Sequence, residues 1–171
     1  MDTRNIEPNI THKVLAKMEA AGKLKAVVTQ NIDGLHQKAG SRNVYEIHGT
    51  TLKNYCCDCG RKYPADYIFH KAPVPVCEYC KGIIRPDVVL YGESLPDKAV
   101  NSAVAAILNA DCLIIGGTSL QVYPANTYVS YFRGKHLVVI NKEKLNIQLD
   151  ESDLFIESTQ GAVFAEIDKW I

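Results

Sequence analysis

Four cysteines in this chain have the spacing of a metal site. Cys56-x-x-Cys59 and Cys77-x-x-Cys80 are separated by 17 residues, and two such pairs at this separation are typical of zinc bound by four thiolates. Such a site is closed and tetrahedral, so it supports folding and leaves no open position for catalysis. We predict a structural Zn²⁺ on these four residues, with free or redox-active thiols as the alternative.

Two further cysteines lie outside this set. Cys57 could replace a neighbouring ligand, but with Cys59 it forms Cys-x-Cys, which is a poorer chelating turn. Cys112 lies in an apolar run, and we expect it to be a core residue. The first residues show no apolar stretch behind a basic start, so we expect no secretory signal and reduced thiols, as in the cytoplasm.

Three polar clusters follow short apolar runs that resemble strands. They are Gln30-Asn31-x-Asp33, Gly116-Gly117-Thr118-Ser119 and Asn141-Lys142. In a parallel sheet, ligands bind beyond the carboxyl ends of the strands, and glycines, hydroxyls and amides there suit a phosphate or a ribose. Each cluster alone is often only a turn. Three on one edge predict a nucleotide site, although the chain has no G-x-G-x-x-G fingerprint.

His48 follows another short apolar run and precedes a glycine. An imidazole with a pKa near 6.5 can act as a general base at neutral pH, although a single histidine is more often structural. His36 lies three residues after Asp33 and either pairs with it or lines the turn. We expect His12 and His70 to be solvated helix positions.

The elements that must position these residues alternate between helices and strands. We predict helices over 9–21, 97–109, 124–132 and 162–170, and strands over 25–29, 44–47, 112–115, 137–140 and 154–156. Short apolar strands alternating with helices indicate a parallel α/β sheet. Residues 52–86 differ in composition, hold five cysteines, and are predicted to form an inserted zinc-binding module.

Composition excludes several classes of protein. The chain of 171 residues has 19 basic and 19 acidic side chains, so its balance argues against nucleic-acid binding by bulk electrostatics. Its apolar runs are far shorter than the roughly 20 residues of a membrane span. The sequence gives no indication of the oligomeric state.

Taken together, these segments resemble the sirtuins, the family of NAD-dependent protein-lysine deacylases. The matching segments are TQNIDGLHQKAG (29–40), EIHGT (46–50), the two Cys-x-x-Cys pairs, IIRPDVVLYGESLP (83–96), GGTSLQVYPA (116–125) and VVINKE (138–143). They stand in the family's order and cover most of the chain. The resemblance implies a Rossmann-like NAD-binding domain, formed by 1–51 and 87–171, around the zinc-binding module of 52–86.

The resemblance also assigns roles to individual residues. It implies that His48 is the base that deprotonates a ribose hydroxyl, with Asn31 and Asp33 also catalytic. It places NAD against Gln30, Asn31, Asp33, Gly116, Thr118, Ser119, Asn141, Lys142 and Val163. It places an acyl-lysine peptide, as an added strand, between Val88, Val89, Tyr91 and Gly92 on one side and Val122 and Tyr123 on the other.

The implied reaction is NAD-dependent deacylation, which releases nicotinamide and O-acyl-ADP-ribose. Two alternatives remain open. The same pocket could serve mono-ADP-ribosyl transfer or NAD hydrolysis, or the chain could be a zinc-stabilised peptide-binding module without turnover.

The family's N-terminal strand, its GAG-x-S turn and its arginine-bearing loop have no counterpart in this chain, so we expect an incomplete sheet and uncertain activity. The chain is then a fragment, a short protein with weak turnover, or one completed by a partner. We favour a fragment.

Overall fold

A computed structural model describes residues 5–69, 74–121 and 123–171. Its α-helices are α1 (Ile10–Ala20), α2 (Leu35–Lys38), α3 (Ala65–Phe69), α4 (Asp97–Leu108) and α5 (Gln160–Ile167). Its strands are β1 (Val27–Thr29), β2 (Val44–Glu46), β3 (Gly49–Cys56), β4 (Lys62–Pro64), β5 (Ile84–Val88), β6 (Cys112–Gly116), β7 (His136–Asn141) and β8 (Leu154–Glu157). No described helix has the length and apolar character needed to cross a membrane.

Parallel strands form two sheets, which confirms the predicted α/β class. β1 pairs with β2, while β6, β7 and β8 follow one another in a second sheet. The segments after β1 and β2 leave their sheet at one edge, as do the segments after β6 and β7. Each polar cluster therefore follows the carboxyl end of a parallel strand, as expected. The single edge that the sequence predicts is divided, among the described residues, between two sheets, since β1 and β2 do not pair with β6, β7 or β8.

Helix α1 begins where the sequence predicts because Asn9 caps it. The Asn9 side chain accepts a hydrogen bond from the His12 backbone, which satisfies one of the free N–H groups of the first turn. The inner face of α1 packs against α5 and the second parallel sheet. Val14, Ile140 and Phe164 form the buried centre of this contact. This cluster joins α1 to the sheet that carries Asn141.

An antiparallel sheet carries the paired cysteines. Strand β3 lies between β4 and β5, and its register shifts between Thr50 and Asn54. Cys56 ends β3 and pairs with Ile84 at the start of β5. Buried Cys56, Tyr63, Cys77 and Ile84 form a small core of their own. One long strand, β3, thus connects this core to the segment directly after His48.

Two sequence predictions about single residues are wrong. Cys112 is exposed because it is the first residue of β6, and the buried residue of that strand is Ile115. His12 is buried, with 8% of its surface exposed, because its ring bonds to Asn9 and packs against the ring of His36. The prediction for His70 lies outside the described residues.

The segment predicted as a helix over 124–132 is a 3₁₀ helix at Ala125–Tyr131. Thr127 and Ser130 each turn their hydroxyl back onto a backbone carbonyl three residues earlier. Such bonds compete with α-helical pairing, and Thr, Val and Tyr are poor α-helix formers.

Candidate active site and zinc site

The four predicted zinc ligands form a single cluster. The Sγ atoms of Cys56, Cys59, Cys77 and Cys80 all lie within 4.8 Å of one another, and Cys57 is outside the group. The Sγ atoms of Cys59 and Cys77 are 3.7 Å apart, and those of Cys56 and Cys80 are 3.4 Å apart. Tetrahedral zinc with Zn–S bonds of about 2.3 Å places its sulfurs about 3.8 Å apart, so the cluster fits this ion. These distances are too long for a disulfide, whose S–S bond is about 2.05 Å.

Two similar turns present these thiols. In the first, Gly60 N donates to Cys56 O at 3.0 Å, and in the second, Lys81 N donates to Cys77 O at 3.0 Å. The residue after each Cys-x-x-Cys has a positive φ, 68° at Gly60 and 66° at Lys81. Glycine adopts this conformation freely, whereas lysine does so at a cost. Sequence spacing identified the ligands, and the turns explain how each pair converges.

Tyr63 contacts this cluster, and the sequence analysis did not single it out. Its hydroxyl donates to Cys77 Sγ at 3.1 Å, and the bond is buried. This hydrogen bond and burial together raise the pKa of Tyr63 to about 12. The same bond favours the thiolate and holds the pKa of Cys77 below its usual value. A tyrosine three residues after a turn carries no sequence signal for such a contact.

His48 lies beside the end of β1. Its Nδ1 is 3.2 Å from the carbonyl oxygen of Gln30. The carbonyl can only accept, so this contact assigns the proton to Nδ1 and leaves Nε2 as the basic nitrogen. Ile47, the preceding residue, is buried and bonds to Thr29 across the two strands. The fold therefore brings Gln30 and His48 together, as the sequence predicts.

Asp33 and Asn31 follow Gln30 in the same turn. Asp33 Oδ1 accepts from Leu35 N at 3.0 Å, and Gly34 between them adopts a left-handed conformation with φ of 70°. This contact starts α2. Asn31 is exposed, and its backbone N–H donates to Thr29 Oγ1 at 3.1 Å, so its amide side chain projects from a fixed backbone. Asp33 thus has a local structural role, and its predicted role at the site stays a prediction.

Two partly buried ionisable residues near this turn, His36 and Glu46, have shifted pKa values. Burial is the main cause that lowers the pKa of His36 to about 4, and the neighbouring His12 lowers it further. Burial also raises the pKa of Glu46, the last residue of β2. The sequence analysis places His36 beside Asp33, as its partner or as part of the turn, and has no expectation for Glu46. His36 is therefore a neutral group inside the protein, rather than a cationic partner of Asp33.

The second polar edge follows β6 and β7. Thr118 Oγ1 accepts from Leu120 N at 3.1 Å, and Ser119 Oγ accepts from Gln121 N at 3.4 Å. Both hydroxyls therefore keep their own proton for a further acceptor. Asn141, at the end of β7, donates through its amide to Glu143 O at 2.8 Å. Lys142 beside it is exposed.

The glycines of this edge lie close to α5. A Cβ at Gly116 would collide with the side chain of Gln160, and Gly117 has a positive φ of 61°. Val163, predicted to contact the cofactor, lies in α5 and packs against the cluster around Val14 and Phe164. No hydrogen bond within the described residues joins this edge to the His48 edge.

The segment after β5 begins at Val89 and is hydrogen-bonded to His48. Val89 N donates to His48 O at 3.0 Å, and Leu90 N donates to Glu93 Oε2 at 2.9 Å. Arg85 holds Glu93 through two contacts, at 2.5 and 2.9 Å. The guanidinium beside Glu93 lowers the pKa of that carboxyl to about 2.

This arrangement leaves Tyr91 fully exposed on the segment, next to Gly92 with φ of 87°. Tyr123 is also largely exposed, with 78% of its surface accessible, and Val122 lies outside the described residues. Val88 and Val89 are half-buried at the end of β5. Exposed apolar side chains that lie together are typical of a surface that meets a partner.

Comparison with known proteins gives a consistent result. The model of the family described as "Sir2 family" matches residues 1–124. An NAD-dependent protein deacetylase of Clostridium perfringens is 52% identical over 164 residues, covering 95% of this chain and 67% of that protein. A protein of the same description from Clostridium acetobutylicum is 49% identical over 165 residues, covering 96% of this chain and 67% of the relative.

Solved structures agree in fold. A structure described as "Sir2-p53 peptide-NAD+" superimposes with a TM-score of 0.86 at 35% identity, covering 96% of this chain and 70% of that one. Another holds Sir2 with an inhibitor, 2'-O-acetyl-ADP-ribose and a deacetylated p53 peptide, and gives a TM-score of 0.89 at 35% identity over 98% of this chain and 74% of that one. The Rossmann-like α/β fold is therefore shown.

Proposed function

The chain belongs to the Sir2 family, and we propose that it catalyses NAD-dependent removal of acyl groups from lysine side chains. The observation that carries this proposal is the contact between His48 Nδ1 and Gln30 O, because it frees Nε2 for proton transfer at a predicted ribose site. The relatives named as deacetylases support the same activity.

We propose that His48 is the general base. Bound NAD would supply a ribose carbon to which the acyl oxygen of the substrate bonds as the bond to nicotinamide breaks. His48 Nε2 would accept the proton of a ribose hydroxyl as the oxygen of that hydroxyl takes over the acyl group, while Gln30 O holds the proton on Nδ1. The contact fixes both the ring orientation and its tautomer.

The polar edges supply the groups that NAD requires. We propose that Gln30, Asn31 and Asp33 hold the nicotinamide side, where an amide and a carboxylate suit an amide ligand and a cationic ribose. Thr118 and Ser119 have free hydroxyl protons, and Asn141 and Lys142 follow the adjacent strand end, so this donor set fits a ribose and a phosphate. Gly116 and Gly117 belong to the same proposed edge, where the absence of a side chain leaves room for Gln160 of α5. We also propose that Val163 of α5 contacts NAD.

We propose that the acylated peptide binds as an added strand. Val88, Val89, Tyr91 and Gly92 would form one side and Val122 and Tyr123 the other. Backbone hydrogen bonds give such a complex its affinity, and exposed Tyr91 and Tyr123 offer apolar contact. The peptides in the matched Sir2 structures support this class of partner.

The domain division and the location are proposals as well. Residues 52–86 would form the zinc module, with 1–51 and 87–171 as the NAD-binding part. A separate small core around Cys56 and Cys77 supports this division. Thiols held as zinc ligands must stay reduced, which favours the cytoplasm.

The test uses the purified 171-residue chain with NAD and an acetyl-lysine peptide. We expect nicotinamide release that depends on the peptide, and its loss in His48→Gln, which keeps a polar side chain but not the base. Release without peptide would favour NAD hydrolysis. Transfer of labelled ADP-ribose to a protein would favour the transferase. Peptide binding with no release in the wild-type chain would contradict the proposal and favour a binding module.

A further inference from the structure

The hydroxyl of Tyr63 makes two hydrogen bonds at the zinc cluster, one as donor and one as acceptor. The hydroxyl donates to Cys77 Sγ at 3.1 Å and accepts from Glu78 N at 3.3 Å. Both Tyr63 and Cys77 are buried, with 8% and 0% of their surfaces exposed. Water therefore cannot reach this sulfur as an alternative donor.

The fold holds Tyr63 firmly in this position. It lies in the middle of β4 opposite Asn54 of β3, so its backbone is set by the antiparallel pairing. Its ring packs against that of Tyr67, with centroids 4.5 Å apart. The hydroxyl has little freedom to leave the sulfur, which makes the contact a fixed part of the cluster.

We propose that Tyr63 is a positioning residue for the zinc ion, which retains the metal by holding and partly neutralising the Cys77 thiolate. A thiolate is a charged acceptor, and hydrogen bonds to charged groups are about twice as strong as neutral ones. Partners of metal ligands orient them, and their removal commonly lowers metal affinity about 10–100-fold. Cys77 is the buried ligand that begins the second turn, so freeing it would loosen that turn.

Tyr67 gives a matched control. It lies in the same aromatic pair, and its hydroxyl donates to Val76 O at 3.0 Å and also contacts the Glu78 side chain. Removing this hydroxyl disturbs the surroundings of the cluster but leaves the Tyr63 hydroxyl as the donor to Cys77 Sγ. Tyr63→Phe and Tyr67→Phe therefore differ in the contact to the sulfur.

The experiment follows zinc loss from the loaded 171-residue chain to an excess of a chromogenic chelator. We expect Tyr63→Phe to release zinc about 10–100-fold faster than wild type, and Tyr67→Phe to remain close to wild type. Cobalt-substituted protein gives a second readout, because the thiolate-to-metal absorption band should shift in Tyr63→Phe alone. Equal release from the two variants, with unchanged cobalt spectra, would overturn the proposal.

A third measurement uses the wild-type protein and is needed if Tyr63→Phe does not fold. In wild-type protein loaded with ¹¹³Cd, the hydroxyl proton of Tyr63 should be visible by NMR and coupled to the metal through Cys77. A Tyr63 hydroxyl proton that exchanges freely with water would contradict the proposal even if Tyr63→Phe cannot be prepared.

Discussion

The backbone N–H of Val89 donates to the carbonyl oxygen of His48 at 3.0 Å. This bond continues the pairing of β5 with β3 by one residue beyond Gly49 and Val88. The proposed base and the proposed peptide edge therefore share one rigid stretch of sheet. A change that disturbs this stretch should affect peptide use and proton transfer together.

Gly49 provides the most direct test of that stretch. It has φ of 76°, and a Cβ there would collide with the carbonyl oxygen of Asp87 on β5. We expect Gly49→Ala to lower both the melting temperature and the rate of peptide-dependent nicotinamide release. Gly22→Ala is the control, because Gly22 has φ of 72° but no atom within 4 Å of such a Cβ. If the two substitutions lower the melting temperature and the rate of nicotinamide release equally, the positive φ alone explains the loss, which would contradict a role for the contact with Asp87.

Glu93 should affect peptide binding more than chemistry. Its carboxylate accepts from Arg85 and from Leu90 N, so it organises the backbone next to Tyr91. We expect Glu93→Gln to raise the KM for the acyl peptide several-fold, with little change in kcat, because the backbone next to Tyr91 loses its charged acceptor. Glu166→Gln breaks an exposed ion pair to Lys169 and should leave kinetics unchanged. A fall in kcat with constant KM would contradict this role.

Stability should fall in mild acid because of His36. Burial lowers its pKa to about 4 in the folded protein, below the unfolded value of 6.5. The unfolded state then binds more protons between these values, so stability is present above pH 6.5 and is lost as the pH falls towards 4. We expect the melting temperature of His36→Gln to depend less on pH across this range. His136→Gln, at the exposed start of β7, should behave as wild type.

Loss of one zinc ligand should damage the module around it. Cys77 is fully buried and belongs to the four-sulfur cluster, so Cys77→Ala removes both a ligand and part of a small core. Because metal binding is coupled to folding, we expect zinc-free, poorly soluble protein. Cys57→Ala, whose side chain is exposed and outside the cluster, should keep its zinc. A soluble, metal-free Cys77→Ala with normal melting would contradict this coupling.

Local spacing explains why the zinc ligands could be predicted from sequence. Each Cys-x-x-Cys is a single turn, so the residues that must converge lie close along the chain, and Cys57 is excluded by the same geometry. The position of each polar cluster at a strand end was also predictable, because apolar runs locate the strands and parallel pairing brings the ends of paired strands together. The division of the described strands between two sheets was not. The contact between His48 and Gln30 follows from that pairing.

Burial of individual residues was less predictable. Cys112 is in an apolar run but is the first residue of its strand, where it is exposed, while Ile115 further along is buried. His12 is polar but lies on the inner side of α1 against His36, which is 24 positions away in the sequence. Tyr63 reaches Cys77 only through the pairing of β3 with β4. These three outcomes depend on contacts between distant segments, which a local pattern does not contain.

The central claim is that His48 directs acyl transfer onto the ribose of NAD. Mass spectrometry of one reaction, containing the chain, NAD and an acetyl-lysine peptide, tests it most directly. We expect deacetylated peptide, nicotinamide and O-acetyl-ADP-ribose in equal amounts, with none formed by His48→Gln. Deacetylated peptide accompanied by free acetate and intact NAD, or unchanged product formation by His48→Gln, would contradict the account.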